Sequence, residues 1–182
     1  NVGLPAATAK NIILYLVSVS KPALAFGFVE TMSQSAMWKK YVDETSRCVL
    51  YIDHDNNTLL HAAAKGGYCW VLDNSIKACK AENYIDAKNK SGDTPLHIAA
   101  EYGQLEDASI LLTSGKVRWF KSIKQWTPLH SAAAGIRPNA QLAELLVRTM
   151  SEAEQDLNQK DWEGNTALHV AASNSFMTSQ FM

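Results

Sequence analysis

"TPLHIAAEYGQLEDASILLTSG", residues 94–115, carries the pattern that decides the fold of this chain. Thr94-Pro95 pre-sets a first helical turn, because proline at that position gives up no N–H that the helix needs. Paired Ala99-Ala100 leaves this helix slim enough for a neighbour to approach closely. "DASILLTSG" then supplies a second helix with an Ile/Leu face. One such unit cannot bury that face alone, so it calls for neighbours of its own kind.

The neighbours are present. Thr58-Leu59-Leu60-His61, Thr127-Pro128-Leu129-His130 and Thr166-Ala167-Leu168-His169 repeat the signature, and the four histidines lie 36, 33 and 39 residues apart. Each is followed by small residues ("AAAKGG", "IAAEYG", "SAAAG", "VAAS"), and "AQLAELLVRTM" gives another leucine-rich second helix. This pattern resembles the ankyrin repeat, a hairpin loop plus two helices in about 33 residues. The resemblance implies an all-α solenoid of three to four repeats over residues 53–182, divided at about 53–85, 86–118, 119–157 and a partial 158–182. Repeat one has Asn56, and repeat three Gln125, where the resemblance implies glycine. Repeat one's second helix, "CWVLDNSIKACK", is weakly patterned, and Pro138 sits in an insertion in repeat three. The four signature histidines read as structural ties between successive hairpins; only His54 falls outside the set.

Composition bounds the function. The chain has 182 residues, 47% hydrophobic and 19% charged, with a formal net charge of −1, a balance that argues against nucleic acid as the main partner. Cys48, Cys69 and Cys79 form no CxxC pair and read as reduced thiols of an intracellular protein. The longest apolar run, Ile12 to Val17, is far short of the roughly 20 residues a bilayer requires. The start at Asn1 and the Gln-Phe-Met end read as a trimmed piece, with no lipidation cysteine after Cys79. There is no Ser/His/Asp grouping, no clustered metal ligands, no Gly-rich phosphate loop and no carboxylate pair, so no catalytic residue, metal or cofactor is expected.

Counting from each signature threonine puts Lys90, Ile123 and Trp162 at one hairpin-tip position, and Asp93, Trp126 and Asn165 just before the threonine. The third hairpin, "KVRWFKSIKQW", residues 116–126, mixes Lys116, Arg118, Lys121 and Lys124 with Trp119, Phe120 and Trp126. Aromatics among cations suit a binding hot spot, and the cations favour an acidic partner segment. Candidate partner-binding residues are therefore Lys90, Asp93, Trp119, Lys121, Lys124, Trp126 and Trp162, with Trp119 and Phe120 packed between repeats as the other reading.

The first 48 residues hold three apolar clusters: Ala9, Ile12, Ile13 and Leu16 after Pro5; Leu24, Phe26, Phe28 and Val29; and "AMWKKYV" around Trp38. So small a unit covers only part of its own apolar surface. Leu4-Pro5, Ile12-Ile13 and Tyr15-Leu16, followed by Leu24, Val29 and "MWKKY", resemble an F-box over residues 3–48. That resemblance implies a three-helix unit in which Leu4, Pro5, Ile12, Ile13 and Leu16 face the S-phase kinase-associated (Skp) adaptor of cullin ubiquitin ligases. Leu24, Val29 and Trp38 would complete that contact or the internal core. A degenerate first repeat over Pro22–Asn57, or a helical cap, is the alternative.

An F-box joined to a short repeat array is similar to the ankyrin B class of bacterial effectors. The resemblance implies a non-catalytic substrate receptor of an SCF-type ligase, delivered into the host cytoplasm and holding an unidentified protein substrate. The competing class is a repeat scaffold or inhibitor with no ubiquitin role. A third is a stack regulating a separate enzyme.

Overall fold

The computed structural model describes residues 55–78, 84–114 and 117–179. Every regular element among them is a helix: α1 (Leu59–Gly66), α2 (Cys69–Ala78), α3 (Pro95–Glu101), α4 (Leu105–Thr113), α5 (Pro128–Ala133), α6 (Ala140–Glu152) and α7 (Ala167–Ser179). The first helix of each unit packs on the next, α1 on α3, α3 on α5 and α5 on α7. The second helices form a parallel layer, α2 on α4 and α4 on α6. The fold is an all-α repeat stack, and α7 stands as the fourth unit's one described helix.

Each first helix starts for the same local reason. Thr58, Thr94 and Thr127 are extended N-caps, and the histidine three residues on folds back onto the cap. The backbone N–H of the threonine donates to Nδ1 of that histidine at 3.0, 3.2 and 3.2 Å, and at 3.3 Å in Thr166–His169. An accepting Nδ1 leaves the proton on Nε2. Nε2 in turn donates to the next hairpin: His61 to the Asp93 carbonyl (2.9 Å), His97 to that of Trp126 (3.0 Å) and His130 to that of Asn165 (3.2 Å). Both nitrogens of these three imidazoles are spent on the scaffold, so none serves as a base or metal ligand.

The alanine pairs do what their size allows. Ala63, Ala64, Ala99 and Ala100 are fully buried between first helices, with Leu60 and Leu96 alongside. In the second layer, Leu142, Leu146 and Met150 of α6 repeat every fourth residue and form one buried face. Burying each such side chain contributes roughly 1.5–3 kcal/mol. The insertion around Pro138 is an exposed loop that ends in a cap: Asn139 accepts from the Leu142 N–H (3.2 Å) and donates to the Gly103 carbonyl (3.1 Å). Gly103 is required there, since its φ is 68° and a Cβ would lie 2.2 Å from the Arg137 carbonyl oxygen.

The weakly patterned "CWVLDNSIKACK" forms the expected second helix over Cys69–Ala78, docked on α1 and α4. One feature was not legible in the sequence: Asp107 of α4, though acidic, is 0% exposed, with no hydrogen-bond partner for either carboxylate oxygen. Counted from the helix starts, it stands where α2 has buried Val71 and α6 has buried Leu142. Burial, reinforced by Glu106 and opposed by the neighbouring Cys69 thiol, pushes Asp107 up to about 6. Burial, with Asp107 and Glu106 adding, pushes Cys69 up to about 12, so that thiol stays protonated.

Candidate functional site

The hairpins place the candidate residues. In each, the residue five before the threonine holds the turn with its side chain. Asn89 accepts from the N–H groups of Ser91 and Asp93 (3.0 and 2.9 Å), Ser122 from Trp126 (3.3 Å), and Asp161 from Glu163 and Asn165 (2.9 and 2.8 Å). Burial raises the Asp161 carboxyl, but the N–H bonds of Asn165, Glu163 and the Trp126 ring outweigh it and hold it below the ordinary value.

The residue four before the threonine binds each tip to the one before it. The Lys90 N–H donates to the Asp55 carbonyl at 2.8 Å, Ile123 to Ser91 at 2.9 Å and Trp162 to Lys124 at 3.2 Å. Lys90, Ile123 and Trp162 therefore stand in one row along the stack. Lys90 is exposed, Ile123 is 70% exposed and Trp162 is 71% exposed. Ile123 and Trp162 are thus large apolar side chains left in water beside one another in register.

Around this row the cations are held in place. Lys88 lies 4.4 Å above the Phe120 ring and donates to the Lys121 carbonyl at 3.4 Å. Lys124 lies 5.0 Å above the Trp126 ring, whose Nε1 donates to Asp161 at 3.2 Å. Arg118 pairs with the buried Asp86 carboxylate (Nε–Oδ2 3.2 Å), and its backbone N–H also donates to that carboxylate. Asp93, pushed up to about 6 by burial and then by Glu101 and opposed by Lys124, gives its carbonyl to His61.

The structure sorts the predicted site residues. Lys90, Lys124 and Trp162 are exposed on the strip, and Lys121, Asp93 and Trp126 are half-buried within it. Trp119 is partly buried and packed against the hydrophobic core, the placement that the other reading of it gave. Lys88 and Lys160, both exposed, were missed. Their signal was available, because Lys88, Lys121 and Lys160 all stand six residues before a signature threonine. Leu4, Pro5, Ile12, Ile13, Leu16, Leu24, Val29 and Trp38, with His54, Cys48, Cys79 and Lys116, lie outside the described residues. Among the described residues no group of three or more His, Cys, Asp or Glu side chains could hold a metal ion. No helix among them is long and apolar enough to cross a membrane.

Residues 34–119 match the family model described as "Ankyrin repeats (3 copies)". Among curated proteins the chain is similar to alpha-latrotoxin-Lg1a of Latrodectus geometricus, 28% identical over 85% of this chain and 10% of the toxin. It is also similar to the nuclear factor NF-kappa-B p105 subunit of Gallus gallus, 29% identical over 69% of this chain and 12% of that protein. Synphilin-1 of Mus musculus is 27% identical over 69% of this chain and 13% of its own length. The chain thus spans about a tenth of the length of these relatives.

Proposed function

We propose that this ankyrin-repeat chain is a non-catalytic receptor that holds a protein on its hairpin tips and brings it to a ubiquitin ligase. The observation that carries the binding half is the row Lys90, Ile123 and Trp162, exposed, in register and fixed by backbone hydrogen bonds. The ligase half is supported by the spacing of Leu4-Pro5, Ile12-Ile13 and Leu16, with Leu24, Val29 and Trp38, which resembles an F-box over residues 3–48. In that reading those residues dock on the Skp adaptor and, through it, on cullin. The chemistry is proximity: tethering an acceptor lysine near the charged conjugating enzyme raises its effective concentration, with no residue of this chain reacting. The setting is the host cytoplasm, with the chain acting as a bacterial effector.

A specific observation favours a second reading, a repeat scaffold or inhibitor without a ligase role. The family match begins at residue 34, inside the F-box-like segment, and a match over 85% of the chain must take in part of the first 54 residues. A degenerate repeat there would bury Trp38 against α1 and leave no adaptor face. Size-exclusion chromatography of the chain with purified Skp adaptor separates the two readings. A one-to-one complex that an Ile12→Asp/Leu16→Asp variant loses supports the receptor. A chain that elutes alone, with the adaptor in its own peak, leaves the scaffold.

A further inference from the structure

Two rows of side chains run side by side along the stack. Lys88, Lys121 and Lys160 stand six residues before a signature threonine, and Lys90, Ile123 and Trp162 stand four before it. Only one residue separates the two positions in each hairpin, and that residue (Asn89, Ser122 or Asp161) holds its turn with its side chain. The lysine row therefore flanks the row that carries the two exposed apolar side chains. Lys88 is pre-positioned over Phe120, and Lys124 adds a further cation held over Trp126.

We infer that this double row recognises an extended acidic segment of a partner protein, lying along the hairpin tips with carboxylates spaced about three residues apart. Packed helices lie roughly 8–10 Å apart, and successive repeats share that spacing. An extended chain advances about 3.3 Å per residue. Three residues of an extended ligand thus match one repeat, so carboxylates at i, i+3 and i+6 meet Lys88, Lys121 and Lys160 in turn. An apolar side chain near the i+3 to i+6 end covers Ile123 and Trp162. The segment thus combines acidic groups over the lysine row with an aliphatic or aromatic anchor toward the fourth hairpin. The acceptor is a protein segment and not a nucleic acid strand, because the exposed Glu163 stands next to Trp162 in the row and the chain has no basic excess, with a formal net charge of −1.

This inference rests on the reading that the stack holds a protein, and it is independent of the adaptor. The test is selection from a random dodecapeptide display library on the full chain. One selected peptide is then measured by fluorescence anisotropy against the parent chain and a Lys88→Glu/Lys160→Glu variant. The expected result is a consensus of Asp or Glu three residues apart beside Leu or Phe, bound at least tenfold more weakly by the variant and weakened by salt. Circular dichroism confirms that the variant keeps its fold, as two exposed lysines should allow, and a Lys88→Gln/Lys160→Gln variant provides a charge-neutral check with an intermediate loss. A neutral or basic consensus would overturn the acidic assignment while leaving a protein-binding stack. Acidic peptides bound equally by parent and variant would overturn the residues assigned here. Tighter binding of a single-stranded oligonucleotide to the same lysines would replace the ligand class, and no enrichment at all would remove the protein-binding reading with it.

Discussion

The His97 imidazole spans two repeats: Nδ1 accepts from the Thr94 N–H at 3.2 Å and Nε2 donates to the Trp126 carbonyl at 3.0 Å. A protonated ring could not accept at Nδ1, so the link exists only in the neutral form. Burial, opposed by the Trp126 carbonyl and assisted by Lys88, His61 and His130, lowers His97 to about 4.

The sign follows. A histidine whose folded value lies below its unfolded one contributes stability that is complete above about pH 6.5 and is lost as pH falls toward 4. At about 1.4 kcal/mol per unit the loss approaches 3 kcal/mol. Replacing His97 with Gln should cost about 1–3 kcal/mol at pH 7 and flatten this acid limb. Urea unfolding of both proteins from pH 4.5 to 7.5 is the measurement. Curves that stay parallel across that range would refute the assignment.

Asp107 acts in the opposite sense. Its folded value, raised to about 6, lies above the unfolded one, so burying it is tolerated at low pH and penalised as pH rises from about 4 to 6. An Asp107→Leu variant, matching Leu142 at the same register, should be more stable than the parent by about 2–3 kcal/mol at pH 7. The advantage should shrink below pH 5. A parent that is the more stable protein at pH 7 would mean that Asp107 has a partner and is not an isolated buried carboxyl.

These groups show what the sequence disclosed and what it hid. The Thr-x-x-His signature is a local interaction between residues three apart, so its spacing announced the caps, the layers and the tip positions of Lys90, Ile123 and Trp162. Asp107 was hidden because an acidic residue in a first helical turn normally reads as solvated and dipole-favoured, and only the register of α2 and α6 reveals its burial. For Trp119 the sequence left two placements open, because composition does not say which face of a hairpin meets the core. Lys88 and Lys160 stand out only when the three hairpins are aligned on their threonines, because the row is spread across three repeats.

The left-handed tip residues give a paired prediction. Asn56, Gly92, Gln125 and Gly164 all have positive φ (58°, 74°, 61° and 86°) at the position two before the threonine. Left-handed backbone costs an ordinary residue roughly 1–2 kcal/mol, much of it spared for Asn and absent for Gly. Glycine's greater unfolded-state entropy takes back about half of any gain. Gln125→Gly should therefore stabilise by roughly 0.5–1 kcal/mol, and Asn56→Gly should change little. Thermal denaturation decides it: equal shifts for the two variants would contradict the backbone argument.

Leu96 and Leu168 occupy the same place in the signature, yet Leu96 is 2% exposed and Leu168 76%. The difference arises from what lies above them. Leu96 is covered by α5, while among the described residues no helix is stacked beyond α7. Truncating a buried leucine loses its transfer free energy and leaves a cavity, so Leu96→Ala should destabilise by about 2–5 kcal/mol. Leu168→Ala removes a side chain already in water and should stay within about 0.5 kcal/mol of the parent. Because repeats couple mainly to nearest neighbours, the Leu96 lesion should loosen α3 and the helices on either side of it before α7. Hydrogen exchange reads this directly: early loss of protection should appear in α1, α3 and α5. Uniform loss along the whole stack would instead mean that the described repeats unfold as one cooperative block.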